Sequence, residues 1–348
     1  MQTIMTKEAI EAPQIVANQL QENQKTVSAL VTRLRKKPPL FAVTIGRGSS
    51  DHACNYAKYL LEICLQLPTA SAAPSVSTLY NSELNVDHGL VIGISQSGQS
   101  PDICEIMRSA RKNKGVTVAI VNDVLSPLAQ EAEFVLPMLA GNEAAVAATK
   151  SYISSLSALL HLTSTWSQNK ILSDALYELP KKLTEAATLD WSSAIPIFKS
   201  IQHSFVISRG FGYPIAQEAA LKLKEAAVLQ AEPFSSAEVL HGPFALVKKD
   251  HPFLLFLQND NSLPSMLEVA QRIKVLGAQT IIAANRDLID SSLNSIASLL
   301  LPLPESINFI CDPLMTIQAF YPFASQLALA RGYNPDKPDN LKKITETR

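Results

Sequence analysis

The run Leu-Val-Ile-Gly-Ile at 90–94 passes without interruption into Ser-Gln-Ser-Gly-Gln-Ser and then a proline. Few folds accommodate that order. An apolar stretch with no polar alternation reads as a strand buried on both faces, as in a parallel sheet covered by helices. Pro101 suits the first turn of a helix, and Asp102 to Met107 carries helical character onward. The same grammar appears earlier: a strand at 40–45, a Gly-Arg-Gly-Ser-Ser turn, and a helix through about Leu65. Further strands are expected around 75–80, 90–95, 116–122 and 133–138, separated by helical stretches.

From Ser204 the pattern restarts. Phe205 to Ser208 leads into a Gly-containing turn and a helix, and 253–260 takes the place of the strand before Ser95. Both correspond at an offset of about 162 residues, which indicates an internal repeat of one α/β unit. The expected fold class is α/β, with a parallel sheet flanked by helices in each half, a three-layer α/β/α arrangement. The expected division is an N-terminal helical segment at 1–38, a first subdomain at 39–170, a helical linker at 171–200, a second subdomain at 201–332 and a tail at 333–348. Residues 8–35 read as one or two amphipathic helices whose basic end, Arg33 to Lys37, complements the helix dipole. Trp166, Leu172, Leu176 and Leu179 are expected core residues.

Two segments carry chemistry. The turn at 95–100 joins small hydroxylic residues to a helix N-terminus, where free amides and the positive dipole end can cradle a phosphate. By itself it is equally an ordinary Ser/Gly-rich βα loop with an N-cap serine. The second segment is the helix holding Glu218, Lys222 and Glu225 at i, i+4 and i+7, on one face. Glu238, His241, Gly242 and Pro243 follow, after a stretch too irregular to continue the helix. Two carboxylates, an ammonium and an imidazole suit proton transfer near neutral pH. The plainer reading is a solvated helix ion pair beside an unrelated loop histidine. The halves are also asymmetric: where one has Ser95-Gln96-Ser97-Gly98, the other has Leu257-Gln258-Asn259-Asp260, and Asp260 repels a phosphate. One half is expected to bind the phosphate and the other to supply the acid–base groups.

Composition narrows the classes. A net charge of −1 gives no basic field for nucleic acid. Four cysteines without CxxC spacing read as free thiols or small buried hydrophobes, and six dispersed histidines give no metal-ligand cluster. The first residues lack a signal-peptide core and no apolar run suffices to span a bilayer, so no membrane partner and a cytoplasmic location are expected. Gly46-Arg47-Gly48-Ser49-Ser50-Asp51 begins like a dinucleotide fingerprint but lacks its third glycine, and neither a Walker sequence nor GxSxG occurs.

Five segments resemble the sugar isomerase (SIS) domain family, in particular the isomerase half of glucosamine-6-phosphate synthases. In family order they are GRGSSDHA at 46–53, SQSGQSPD at 95–102, NEAAVAATK at 142–150, RGFGYPIAQEAALKLKEAAVLQAEPFSSAEVLHGP at 209–243 and NPDKPDNLKK at 334–343. The resemblance implies two tandem SIS subdomains. It implies a sugar phosphate held at Ser49, Ser50, Ser95, Gln96, Ser97 and Ser100, with a backbone contact near Val146 and Ala147. It makes Glu225 the group that moves a proton between C1 and C2 of the open-chain sugar, with Lys222 tuning it. His241 would open the pyranose ring from the neighbouring subunit of a homodimer with shared active sites. Lys343 would contact the open-chain sugar and can form a Schiff base with its ketone. No metal or organic cofactor is implied. A glutamate serves as such a base if partial burial raises its pKa.

Synthases of this kind make ammonia with an N-terminal glutaminase domain whose nucleophile is a cysteine directly after the initiator methionine. Here Gln2 follows Met1, the first cysteine is Cys54, and about 40 residues precede the first strand, too few for such a domain. The expectation is therefore the reverse direction, a glucosamine-6-phosphate deaminase releasing fructose 6-phosphate and ammonia. Galactosamine-6-phosphate deamination and deglycation of fructosamine phosphates use the same scaffold. A non-catalytic sugar-phosphate sensor would need the cradle without Glu225, Lys222 and His241, and usually carries a DNA-binding helix-turn-helix for which 1–38 is too short.

Overall fold

A computed structural model describes residues 2–343, and the last part of the expected tail, 344–348, lies outside the described residues. Contacts gather into two compact units, each assembled from separated stretches. One takes 11–143, 150–180 and the tail from 342; the other takes the chain up to Ile10, 144–149 and 181–341. Two helices, α1 (Ile4–Glu22) and α2 (Gln24–Lys36), precede the first strand. Arg33, Arg35 and Lys36 occupy the last turn of α2, where they offset its C-terminal dipole.

The first sheet is wholly parallel. Its elements follow the chain as β1 (Phe41–Ile45), α3 (Ser49–Leu65), β2 (Thr69–Ser71), α4 (Pro74–Thr78), β3 (Gly89–Ser95), α5 (Pro101–Lys112), β4 (Val116–Val121), α6 (Pro127–Glu131) and β5 (Phe134–Pro137). The strand order is β2-β1-β3-β4-β5. Every residue of β3 and β4 is buried, as expected for strands covered on both faces. Helix α5 turns Ile103, Ile106, Met107 and Ala110 onto Val91, Ala119 and Val121. Each buried Ile, Val or Met among these contributes about 1.5–3 kcal/mol relative to exposure. The long helix α7 (Lys150–Ser167) belongs to the same unit and is buried from Lys150 to Ser164.

The expected strand at 75–80 is absent. Pairing with β1 falls instead to β2, Thr69 opposite Ala42, and 74–78 forms the short helix α4. Pro74 sits at its first position, where its fixed φ favours a helical turn despite the β-forming Val76 and Thr78.

Helices α8 (Lys170–Ala187) and α9 (Ile195–Phe198) lead to the second sheet: β6 (His203–Ser208), α10 (Tyr213–Ala227), β7 (Gln230–Ser235), β8 (Pro252–Phe256), α11 (Leu263–Val275), β9 (Gln279–Asn285), α12 (Ser291–Ile296) and β10 (Leu299–Leu303), closed by α13 (Asp312–Ala330). Its order, β10-β9-β8-β6-β7, is the first sheet's order taken strand for strand, and it too is parallel. Register supports the correspondence. Ile45 faces Gly93 in one sheet and Ile207 faces Leu255 in the other, which aligns Ser95 with Leu257. Leu172, Leu176 and Leu179 are buried as expected; Trp166 is only partly so, and Trp191 is the deeply buried tryptophan, packed on Phe323. No helix of the described residues is long and apolar enough to cross a membrane.

Candidate active site

In each sheet the connections leave the first and third strands in opposite directions, which opens a crevice at their carboxyl ends. In the first unit that crevice is flanked by the turn after β1 (46–48) and the turn after β3 (96–100). Both turns are tightly specified. A Cβ on Gly46 would lie 2.7 Å from the backbone of Ser50, so only glycine lets α3 start this close to the strand end. Gly98 has φ +62°, and a Cβ there would lie 2.1 Å from Ser126 Oγ.

The serines are arranged to donate outward. Ser95 Oγ accepts the amide of Gly98 at 3.1 Å, and Ser97 Oγ accepts that of Gln99 at 3.3 Å. Accepting an amide leaves each hydroxyl hydrogen to be given to another acceptor. Ser100 is the N-cap of α5 but makes no side-chain cap bond, and Pro101 follows at the first helical position. Ser49 and Ser50 form the first turn of α3. Asp102, fully buried, accepts from Arg47 Nε at 3.0 Å and Nη2 at 2.7 Å, which ties the two turns together. Arg47 stays half-exposed at the crevice. Burial pushes the Asp51 carboxyl above its usual range, while His52 and Arg47 pull it back.

In the second unit α10 presents the acid–base face. Glu218 and Lys222 are fully buried, and Glu225 keeps 24% of its side chain exposed. Lys222 Nζ lies 3.4 Å from Glu218 Oε1 and donates a short hydrogen bond to Glu225 Oε2. Tyr321 Oη donates to Glu218 Oε1 at 3.3 Å. Burial alone would lower the Lys222 pKa, but Glu218 and Glu225 outweigh it and hold the ammonium above the ordinary lysine value. The solvated ion pair that the plainer reading expected is thus a carboxylate–ammonium–carboxylate array in which Glu218 and Lys222 are fully buried and Glu225 partly so. Arg331, at the end of α13, donates to the carbonyls of Ala227 and Val228 at the end of α10 and to those of Phe198, Lys199 and Ile201. It thereby satisfies carbonyls at that helix end.

This unit's own crevice differs. Gly210, at φ +58°, leaves space beside Asp260, whose carboxylate accepts from the amide and hydroxyl of Ser262. A negative charge thus stands where the first unit has its serines.

His241 ends a one-turn 3-10 helix, Glu238–His241, and is exposed, with no side-chain partner among the described residues. Burial, then the charge of Glu238, raises the Tyr213 hydroxyl at the start of α10. Val146 and Ala147 belong to this second unit: the Val146 amide donates to Asp336 O at 3.1 Å, and Ala147 is fully buried. Lys343 lies in the first unit, with Nζ 3.0 Å from Glu143 Oε2.

The geometry thus gathers Ser49, Ser50, Ser95, Gln96, Ser97 and Ser100 about one crevice, and Lys222 with Glu225 on one helix face. It does not join His241 to Glu225 by any hydrogen bond or ion pair among the described residues. Several organising residues escaped sequence reasoning although they lie inside the quoted motifs. Asp102 closes SQSGQSPD, Glu143 sits in NEAAVAATK, and Asp336 in NPDKPDNLKK. Asp336 accepts the amides of Ile4 and Met5, the first of α1, at 2.9 and 2.8 Å. Glu8 of α1 in turn accepts the amides of Ala144 and Ala145. Their partners are far away in sequence, so no local pattern announces them. No group of three or more His, Cys, Asp or Glu side chains that could hold a metal occurs among the described residues.

Comparison with known proteins places this geometry. The profile of the SIS domain matches residues 41–164 and 197–330. A glutamine–fructose-6-phosphate aminotransferase (isomerizing) of Methanothermobacter thermautotrophicus is 32% identical over 343 residues, covering 97% of this chain and 56% of that protein. The chain spans about half the length of the curated relatives it matches. A crystal structure from Silicibacter pomeroyi assigned as a phosphosugar isomerase superposes with a TM-score of 0.88 at 36% identity, covering 96% of this chain and all of that one. The C-terminal domain of glucosamine-fructose-6-phosphate aminotransferase from Francisella tularensis gives 0.86 at 25% identity, covering 97% and 99%.

Proposed function

The chain belongs to the SIS domain family, and on that premise we propose that it opens an amino-sugar 6-phosphate and moves a proton between its C2 and C1. In the direction we favour, glucosamine 6-phosphate and water give fructose 6-phosphate and ammonia. Glu225 takes the proton from C2 of the open-chain sugar and returns it to C1. The enolamine formed between these steps becomes a ketimine at C2, and water hydrolyses the ketimine, with the amino nitrogen leaving as ammonia. Atoms balance with no oxidant or reductant.

The observation that carries this reading is the buried array on α10. Burying Glu218 and Lys222 costs several kcal/mol per ion before pairing, and apolar residues would pack the helix as well. A phosphosugar sensor has no use for that array. Within it, Lys222 is a fixed positive charge beside Glu225, placed to orient it and to compensate charge that develops during proton transfer. The crevice at Ser95, Gln96, Ser97 and Ser100 supports a phosphate anchor: outward hydroxyls, two helix N-termini and Arg47. Phosphate binding supplies energy remote from C1 and C2 and keeps them in register. The names of the relatives, which act between glutamine and fructose 6-phosphate, support the choice of hexose.

His241 we assign to ring opening, delivered by a second copy of the chain in a homodimer. Support comes from its exposure on a turn followed by a second one, Pro243–Leu246, that shows Leu246 to solvent. The deciding assay incubates purified protein with glucosamine 6-phosphate, galactosamine 6-phosphate and fructoselysine 6-phosphate and follows ammonia and ketose phosphate. Turnover of galactosamine 6-phosphate or fructoselysine 6-phosphate alone would reassign the substrate. Turnover of none, with glucosamine 6-phosphate still bound, would overturn the reaction and favour a sensor.

A further inference from the structure

Glu143 has no role in the reading above, yet it is among the most committed carboxylates in the molecule. Its side chain is fully buried. It accepts the Ser151 amide at 3.2 Å and the Ser151 hydroxyl at 2.7 Å, both at the start of α7, and Lys343 Nζ at 3.0 Å. A carboxylate on the first amides of a helix is stabilised by the dipole there. That accounts for Ser151 but not for Lys343, which comes from the other end of the chain. Lys343 keeps 24% of its side chain exposed, so one side of it faces the buried carboxylate while another reaches solvent.

We infer that Glu143 is the positioning residue for Lys343: a buried anchor that seats the ammonium of the tail lysine. The inference rests on the proposed sugar chemistry together with the role in contacting the open-chain sugar that the family resemblance implies for Lys343, and it adds the group that brings that lysine there. Removing one member of an ion pair whose other member is fully buried costs more than breaking a surface pair, because the remaining charge stays desolvated. Lys150 beside it is engaged elsewhere, donating to Glu11 at 2.7 Å and to the Asn142 carbonyl, and so does not substitute for Lys343.

One test needs no turnover. The full chain is labelled with acetic anhydride, and modification of Lys343 is measured by peptide mass spectrometry relative to exposed Lys36. Glu143→Gln keeps shape and removes the charge, and should raise relative labelling of Lys343 on the order of tenfold. Glu143→Asp keeps the charge and should stay slow. Equal labelling in wild type and Glu143→Gln, or fast labelling in Glu143→Asp, would overturn the inference. The kinetic arm uses the substrate that is turned over. Glu143→Gln should lower kcat with KM unchanged and add nothing when combined with Lys343→Met, whereas additive losses would assign Glu143 a separate structural role. Loss of all activity in wild type would strike the reaction proposed above and leave the labelling result to decide this one.

Discussion

Replacing Lys222 by Met probes the array on α10 most directly. The substitution keeps volume and removes the ammonium that stands beside the fully buried Glu218. At an effective dielectric of about 20, unit charges 3.4 Å apart attract by roughly 5 kcal/mol. Breaking a buried pair from one side costs about 3–5 kcal/mol, so the two routes agree. Lys222→Met should therefore lose about 3–5 kcal/mol at pH 7.5 in urea unfolding followed by far-UV circular dichroism. Adding Glu218→Gln should restore part of the stability, since the carboxylate that lost its ammonium is then gone, while activity stays low. In the wild type the alkaline end carries a pH dependence of its own. The raised Lys222 pKa contributes stability below the ordinary lysine value that is lost as pH climbs through the folded one. A Lys222→Met protein within about 1 kcal/mol of wild type at pH 7.5, with no pH dependence of the difference, would refute the array.

Ser97→Ala should raise KM for the sugar phosphate roughly 10- to 150-fold with kcat little changed, matching about 1.5–3 kcal/mol for a hydrogen bond to a charged group; steady-state kinetics decide, and an unchanged KM would move the phosphate elsewhere. Glu225→Gln should drop kcat by about 10²–10⁴ with binding retained. Mixing Glu225→Gln with His241→Ala under subunit exchange should recover activity towards roughly a quarter of wild type, since about half the dimers are mixed and each holds one intact site of two; none despite proven exchange would mean that His241 serves its own chain. Asp312, buried at the start of α13 and bonded to Ser306 and the amides of Ile307 and Asn308, is pushed by burial from 3.8 to about 6. Folded protein then binds that proton more tightly than unfolded, so stability falls as pH rises from about 4 to 6, by something on the order of 3 kcal/mol. Asp312→Asn should flatten that slope in thermal melts.

Legibility followed the range of the interaction. The strand–turn–helix units at 41–65 and 89–112 were readable because apolar runs, glycines and Pro101 act within a few residues of one another. The shared face of Glu218, Lys222 and Glu225 followed from helical spacing alone, but its burial did not, because the covering comes from elsewhere, Tyr321 on α13 included. The strand expected at 75–80 failed for a local reason, Pro74. Glu143, Asp336 and Arg331 were invisible for a different one. Each meets backbone or charge far along the chain, and a lone Asp, Glu or Arg near a helix end reads as surface until the fold supplies its partner.

The two sheets share a strand order and a register, yet their crevices have opposite chemistry, and that contrast bears on how one scaffold divides its labour. At the first, Ser95 accepts an amide and leaves its hydrogen to donate, and Arg47 balances buried Asp102. At the second, Leu257 stands in the position of Ser95 and Asp260 closes the loop. Hydroxyls face the first crevice and a carboxylate the second, at positions that the topology makes equivalent, and only the first suits the phosphate anchor proposed above. The helix that leaves each crevice differs in the same sense. In the first sheet α3 begins with Ser49 and Ser50 facing the turn. In the second, α10 carries its charges on Glu218, Lys222, Lys224 and Glu225, from its second turn to its last, rather than at its N-terminus. An anion held at the second crevice would meet Asp260 directly, with Glu218 and Glu225 on the adjoining helix. The duplicated strand order therefore does not imply two phosphate sites. Converting Asp260 to Ser would remove the local repulsion but still leave Leu257 without a donor, so the shared strand order alone does not supply the hydroxyls that stand at 95, 97 and 100.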